Sequence, residues 1–284
     1  MTVETKSNIE ALVEHGYADN AGVKIHYVSI GSGPLVLFLH GFPDFWYTWH
    51  HQLGELSKDF HAVAIDLRGY NLSDKPKGRE HYQMKALISD VYAVLRHFGS
   101  KSATIVGHDW GGAIAWATAM YLPRAVQRLI VLNSLHPANM RRELANNPEQ
   151  RKASEYAKNF NVEGAHKMVK VDDLVKWVTD PEEKNKYIEA HNHSDIEAML
   201  SYYQNFPQEP FSEDESPLPK IKCPVLQIYG LQDEYLLQTG LKGTWELIEN
   251  EFTLVTVPGA GHFVQHDAPA IVTKTIDNWL KAHS

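Results

Sequence analysis

The chain predicts an α/β domain built on a mostly parallel sheet and interrupted by a helical insertion. Three observations predict it. Through the first half, short apolar or β-branched runs alternate with longer amphipathic stretches, the pattern of strands joined by crossover helices. After Asn133 the chain turns charged, aromatic and helical in period, without a convincing strand, and from residue 225 strand character resumes. In order, VKIHYVSIG (23–31), PLVLFLH (34–40), HAVAIDL (61–67), SATIVGH (102–108) and QRLIVLN (127–133) read as strands, the first two broken by the Gly31-Ser32-Gly33-Pro34 turn. Helical patterns lie at 81–98 and 110–121. The Pro-rich and acidic stretch 208–224 reads as an irregular return path, followed by strands at 225–230 and 252–257 and a helix at 269–281. The expected division is therefore a core of residues 1–136 and 220–284 with an inserted cap at 137–219.

Composition narrows the function classes. The chain has 284 residues, 43% hydrophobic and 22% charged, a globular profile far from that of disordered chains. Lys plus Arg number 27 against 35 Asp plus Glu, a formal net charge of −8, which argues against a phosphate-dominated nucleic-acid interface. Cys223 is the single cysteine, so no internal disulfide is expected, and no Cys/His grouping reads as a zinc site. The opening MTVETKSNIEALVEHG has no apolar core of the kind a secretory signal needs. The apolar runs at 35–40 and around AIAWATAM fall far short of the roughly 18 to 20 residues of a membrane span. These readings give the expectation of a cytoplasmic protein, monomer or homodimer, with no membrane span, metal or cofactor.

The most informative string is Gly107-His108-Asp109-Trp110-Gly111-Gly112, at the junction of an expected strand and an expected helix. It has the form G-x-nucleophile-x-G, in which small residues two positions to either side allow a sharp, strained turn. The central residue is Asp, and that choice selects the chemistry. A carboxylate at neutral pH needs no base to activate it. Attack by serine on a saturated carbon would leave an ether that water does not readily cleave. Attack by aspartate leaves an ester, whose carbonyl water can attack once a His acts as general base and an oxyanion site holds the tetrahedral species. The plainer reading is that Asp109 only caps the following helix, a common use of Asp.

Context favours the chemical reading. His40-Gly41-Phe42-Pro43 follows the strand at 35–39, where a loop can offer the Phe42 backbone N–H to the oxyanion, with the Trp110 N–H as second donor. Gly230-Leu231-Gln232-Asp233 and Gly259-Ala260-Gly261-His262 each follow a late strand. The order Asp109, Asp233, His262 is nucleophile, acid, His.

HGFPDFWYTW (40–49), DLRGYNLSDKP (66–76), GHDWGG (107–112), GLQDEY (230–235) and GAGHF (259–263) together resemble the α/β-hydrolase superfamily and, within it, the epoxide hydrolases. The resemblance spans nearly the whole chain outside the cap. It implies an α/β-hydrolase fold with a helical cap, no cofactor, and a small-molecule epoxide as substrate. Asp109 would be the nucleophile, His262 the general base and Asp233 its charge partner, with the Phe42 and Trp110 N–H groups as oxyanion hole and a cis Phe42-Pro43 peptide. It also implies two cap tyrosines as ring-opening acids. Tyr203, in Ser201-Tyr202-Tyr203-Gln204-Asn205-Phe206, matches one, and Tyr156, in Lys152-Ala153-Ser154-Glu155-Tyr156, looks like the other.

Alternatives remain open at this level. Haloalkane dehalogenases also carry HDW, and there Trp110 and Trp177 would hold the halide, although position 42 is Phe where many of them have Asn. Haloacetate dehalogenases have Arg where this chain has Trp110. A catalytically silent binding protein usually lacks a triad member, and all three are present here. Phe42, Trp110, Phe45 and Trp46 are candidate substrate-lining residues, Phe45, Trp46 and Trp49 having burial of the first helix as the competing reading. Tyr202, Tyr203 and Phe206 also suit cap packing. The pair His191/His193 reads as a solvated helix face rather than metal ligands, the same caution against a metal pair applies to His262 and His266, and the resemblance gives His40 and His108 packing roles beside the oxyanion loop and the elbow. Cys223 is expected to pack where the chain re-enters the core.

Overall fold

The computed structural model describes residues 9–205 and 217–283. Residues 1–8 of the opening stretch, Phe206 and positions 208–216 of the return path lie outside the described residues. Among the described residues eight strands form one sheet: β1 (Glu14–Asn20), β2 (Val23–Ile30), β3 (Leu35–Leu39), β4 (His61–Ile65), β5 (Ala103–His108), β6 (Val126–Leu132), β7 (Val225–Gly230) and β8 (Phe252–Val257). Their spatial order is β1-β2-β4-β3-β5-β6-β7-β8. The β1/β2 and β2/β4 pairs are antiparallel and every pair from β4 onward is parallel.

The period of two in the central strands explains the layering. Leu37, Leu39, Val63, Ile65, Ile105, Leu129 and Val131 face one apolar cluster, while Val36, Phe38, Ala62, Ala64, Val106, Ile130 and Leu132 face the other. Two apolar faces need two helical layers. α2 (Met84–His97) and α3 (Trp110–Tyr121) fill the first through residues such as Val91 and Ile114. α1 (His50–Leu56) and α11 (Pro269–Ala282) fill the second through Leu53, Leu56, Val272 and Ile276. The expected helix at 81–98 begins later, with Arg79–Tyr82 forming a short 3-10 turn before α2.

β1 corrects the sequence reading, which left EHGYADN without an element. Only Ala18 of its seven residues is buried, so the apolar alternation that marks a strand is missing. As the outer strand it is held by its pairing with β2, and its polar residues suit an exposed edge.

The described residues of the insertion hold helices and no strand: α4 (Pro137–Asn146), α5 (Pro148–Ala153), α6 (Glu155–Phe160), α7 (Val171–Leu174), α8 (Pro181–His193) and α9 (Ile196–Gln204). Its first part is tied to the 235–244 segment, where Asn139 Nδ2 donates to Thr244 Oγ1 at 2.9 Å and Thr239 Oγ1 to Glu143 Oε2 at 2.7 Å. Its last part is tied to the 68–79 segment, where the Tyr202 hydroxyl donates to the Arg68 carbonyl at 2.8 Å and Asn205 Nδ2 to the Arg79 carbonyl at 2.6 Å. Two polar seams thus hold it to the sheet layer. Cys223 is buried among apolar residues, and burial pushes its thiol up to about 12. No helix among the described residues is long and apolar enough to cross a membrane.

Candidate active site

The carboxyl ends of the parallel strands carry the site, as is usual for open α/β sheets. β5 ends at His108 and α3 starts at Trp110, so Asp109 alone makes the turn, with φ +50° and ψ −118°. That left-handed φ is costly for a residue with a Cβ. The turn is also tight. A Cβ at Gly107 would lie 2.3 Å from the Gly111 carbonyl oxygen, and one at Gly111 would lie 2.2 Å from that of Leu39. Only glycine fits at either position.

Although Asp109 occupies the helix N-cap, its side chain makes no capping bond. Its Oδ1 instead accepts the Phe42 N–H at 2.8 Å, and its Oδ2 lies 3.5 Å from His262 Nε2. The Phe42-Pro43 peptide is cis. Trp110 opens α3, which sets its N–H at the start of the helix beside Asp109. Burial favours the neutral acid, but the His262 and His108 rings and the Phe42 N–H outweigh it and hold the Asp109 carboxyl below its ordinary value. It is an ionised carboxylate with only a small part of its surface exposed.

His262 stands in the loop between β8 and α10 (Val264–Asp267). Its Nδ1 is 2.8 Å from Asp233 Oδ2, which sets Nδ1 as the donor and turns Nε2 toward Asp109. Burial alone would lower its pKa. The Asp233 and Asp109 carboxylates reverse this and raise it to about 10. Asp233, at the end of the β7 loop, accepts the Tyr235 and Leu236 N–H groups on Oδ1 at 2.8 and 3.0 Å and Asn133 Nδ2 on Oδ2 at 2.8 Å. Burial raises its pKa, His262 and these donors lower it, and the net direction is down. Asn133 was not singled out in the sequence, where it looked like the end of a strand. It takes φ +36°, a conformation Asn tolerates better than most residues, and its side chain also accepts the Gly230 N–H at 2.9 Å.

The two flanking histidines hold backbone. His40 Nδ1 donates to the Gly41 carbonyl at 2.8 Å while its Nε2 accepts the Leu67 N–H at 2.9 Å. His108 Nε2 donates to the His262 carbonyl at 2.8 Å.

Above Asp109 lies a cavity of about 540 Å³ lined by Trp110, Tyr156 and Tyr203 together with apolar side chains such as Leu87, Leu135 and Met140. Tyr156 comes from α6 and Tyr203 from α9, their rings edge to face with centroids 5.9 Å apart. Burial foremost, and then nearby groups including the Asp109 charge, raise both phenol pKa values, which keeps the hydroxyls protonated. The hydroxyl of the neighbouring Tyr202 is held by the Arg68 carbonyl.

The structure does not bring Phe45 and Trp46 to this cavity. Both are buried in the second apolar cluster, where Phe45 meets Tyr187 at 5.0 Å between centroids and the Trp46 N–H is held by Asp66 at 3.0 Å. Phe42 contributes its N–H, and its ring packs against Tyr203 and Phe160. Trp177 stacks on Phe263 at 3.9 Å and is not part of the cavity wall. The expectation of a solvated face fails for His191, which is buried, while His193 is exposed. His266 is engaged by Thr48 at 2.7 Å. Among the described residues no group of three or more His, Cys, Asp or Glu is arranged to hold a metal ion.

An eight-stranded sheet with an Asp elbow, a buried His–Asp pair and a helical cap defines a class, and the sequence comparison agrees. Residues 34–269 match the model of the alpha/beta hydrolase fold family, and the chain belongs to that family. Within it, the chain falls among the epoxide hydrolases. Epoxide hydrolase 3 of Xenopus tropicalis is 31% identical over 94% of this chain and 78% of its own length. A crystal structure of Bacillus megaterium epoxide hydrolase in complex with an inhibitor is 38% identical, covering 94% of this chain and all of the other, with a TM-score of 0.87. A structure of a point mutant of an epoxide hydrolase from the same organism, complexed with its product (R)-3-[1]naphthyloxy-propane-1,2-diol, aligns with a TM-score of 0.83, also at 38% identity, covering 94% of this chain and all of the other.

Proposed function

We propose that this chain hydrolyses small to medium apolar epoxides to vicinal diols through an ester on Asp109. One observation carries the reading. An ionised aspartate rather than a serine occupies the elbow, with His262 Nε2 3.5 Å away and two phenols in the wall of the same cavity.

With Oδ1 engaged by Phe42, Oδ2 is the attacking oxygen. It forms a bond to a ring carbon, the C–O bond of the epoxide breaks, and Tyr156 or Tyr203 gives its proton to the departing oxygen. Esterification removes one of the two negative charges that raise the His262 pKa, so the imidazolium gives up its proton, which restores the phenol, and His262 stands as a neutral base. Neutral His262 then takes a proton from water as the water oxygen attacks the Asp109 carbonyl carbon. The oxyanion at Oδ1 faces the Phe42 and Trp110 N–H groups, each contributing about 3 kcal/mol if it equals known donors of this kind. Collapse passes the proton from His262 to the diol oxygen, and the proton left on the Asp109 carboxyl returns to His262, restoring the resting imidazolium and carboxylate. The sum is epoxide plus water to diol.

An apolar cavity of about 540 Å³ suits an aryl or alkyl epoxide, in keeping with the naphthyloxy diol held by the Bacillus megaterium mutant. A halide would leave as a stable anion and need N–H donors instead of phenols, and Trp177 faces Phe263 rather than the cavity. The division into a core of residues 1–136 and 220–284 and a cap of 137–219 belongs to the same reading. Parallel assays with an aryl epoxide, a terminal aliphatic epoxide and a bromoalkane test it. The expected result is diol from the epoxides. Halide release without diol, or no turnover of any of the three, overturns it.

A further inference from the structure

We propose that Gln150 is a positioning residue that fixes Tyr156 against the loop carrying the catalytic acid. This rests on the reading of Tyr156 as a ring-opening acid. Gln150 lies on α5, its side chain fully buried, and the three hydrogen bonds of its amide are made away from its own helix backbone. Its Nε2 donates to the Tyr235 carbonyl at 2.7 Å and to Ser154 Oγ at 2.9 Å, and its Oε1 accepts the Leu237 N–H at 2.7 Å. One amide therefore grips both sides of a junction.

On one side is the 235–237 backbone. Its Tyr235 N–H, with that of Leu236, holds Asp233 Oδ1, and the Tyr235 ring lies edge to face with His262 at 5.2 Å. On the other side is Ser154, the residue between α5 and α6, two positions before Tyr156. The Tyr156 and Tyr235 rings close the same gap at 5.4 Å. Tyr203 reaches the cavity from α9, on the opposite seam, and does not share this anchor. Glutamine suits the position because it offers two donors and an acceptor with no charge. Leucine would leave the Tyr235 carbonyl and Leu237 N–H without this partner, and an ionised glutamate would set an acceptor against the Tyr235 carbonyl.

The test is a double-mutant cycle read on the rate of ester formation in single turnover with an aryl epoxide. Gln150→Leu alone should slow that step by about 10- to 100-fold, the scale of a misplacement near 1 Å. In a Tyr156→Phe background it should cost less than about twofold, and in a Tyr203→Phe background its full amount. An equal loss in all three backgrounds, or no loss in the first, overturns the proposal. Should Gln150→Leu not fold, Ser154→Ala carries the same cycle. It removes one of the three bonds, so a loss of about threefold that vanishes with Tyr156→Phe is expected, and a loss that persists overturns the proposal. If the wild-type enzyme forms no ester at all, the functional reading fails and takes this inference with it. A wild-type enzyme that forms ester but shows no coupling rejects Gln150 alone.

Discussion

Replacing both cap tyrosines, Tyr156→Phe and Tyr203→Phe together, lowers the rate of epoxide opening at least about 10³-fold while the fold persists. A positioned general acid contributes roughly 10² to 10⁴-fold, and an epoxide oxygen leaving as an alkoxide depends on it. The substitution removes two hydroxyls and no ring, so the edge contacts of Tyr203 with Trp110 and Phe42, at 5.2 and 5.4 Å between centroids, remain. Each single variant keeps one phenol and should retain part of the rate, since both side chains line the same cavity. Stopped-flow measurement of ester formation separates this from an effect on hydrolysis. A double variant that opens epoxide at the wild-type rate would show that the acid lies elsewhere.

Acidification should unfold the protein at a pH set by its buried histidines. Burial lowers His108, His136 and His191 each to about 4. Between pH 6.5 and about 4 the unfolded chain binds a proton at each of these positions and the native chain does not, so the contribution of these three is full above pH 6.5 and is lost as pH falls. Each contributes about 1.4 kcal/mol per pH unit in that window, or about 4 kcal/mol per unit for the three, against a typical total of about 5 to 15 kcal/mol. His262, with its pKa raised to about 10, is protonated in both states below pH 6.5 and does not offset the loss. Asp109 and Asp233, held below their ordinary value, lose their contribution only at more acid pH. Above pH 6.5 His262 keeps its proton in the native chain alone, so the Tm should rise as pH falls from 8 to 7 and then fall steeply below 6.5, and a Tm unchanged from pH 6.5 to 4.5 would contradict the assignment.

Much of this architecture was legible because the features that build it are local. A parallel strand buried on both faces must be largely apolar, so VLQIYG read directly as β7; FTLVTV, an outer strand with only Val257 buried, read as β8 through its β-branched residues, and the Gly107 and Gly111 spacing marked the elbow. β1 was not legible. An edge strand held by one neighbour needs no apolar pattern, and EHGYADN has none. Phe45 and Trp46 failed as cavity residues because an aromatic run looks the same whether it lines a pocket or buries a helix, and Asp66 and Tyr187, which decide it, are distant in sequence. The same distance hid Asn133 and Gln150. Each acts through a partner about 85 to 100 residues away, and neither sits in a motif. His191 was misread because one helix turn, His191-Asn192-His193, carries a buried and an exposed histidine side by side.

The covalent ester on Asp109 is the central claim, and intact-protein mass spectrometry of His262→Gln after mixing with an aryl epoxide tests it most directly. Without the general base, the first step proceeds and the second stalls. The account predicts a mass increase of one substrate per chain, mapped by peptide digestion to the segment containing Asp109 and absent in an Asp109→Asn, His262→Gln double variant. An unmodified protein that still releases diol would mean that water attacks the epoxide directly, and would contradict it.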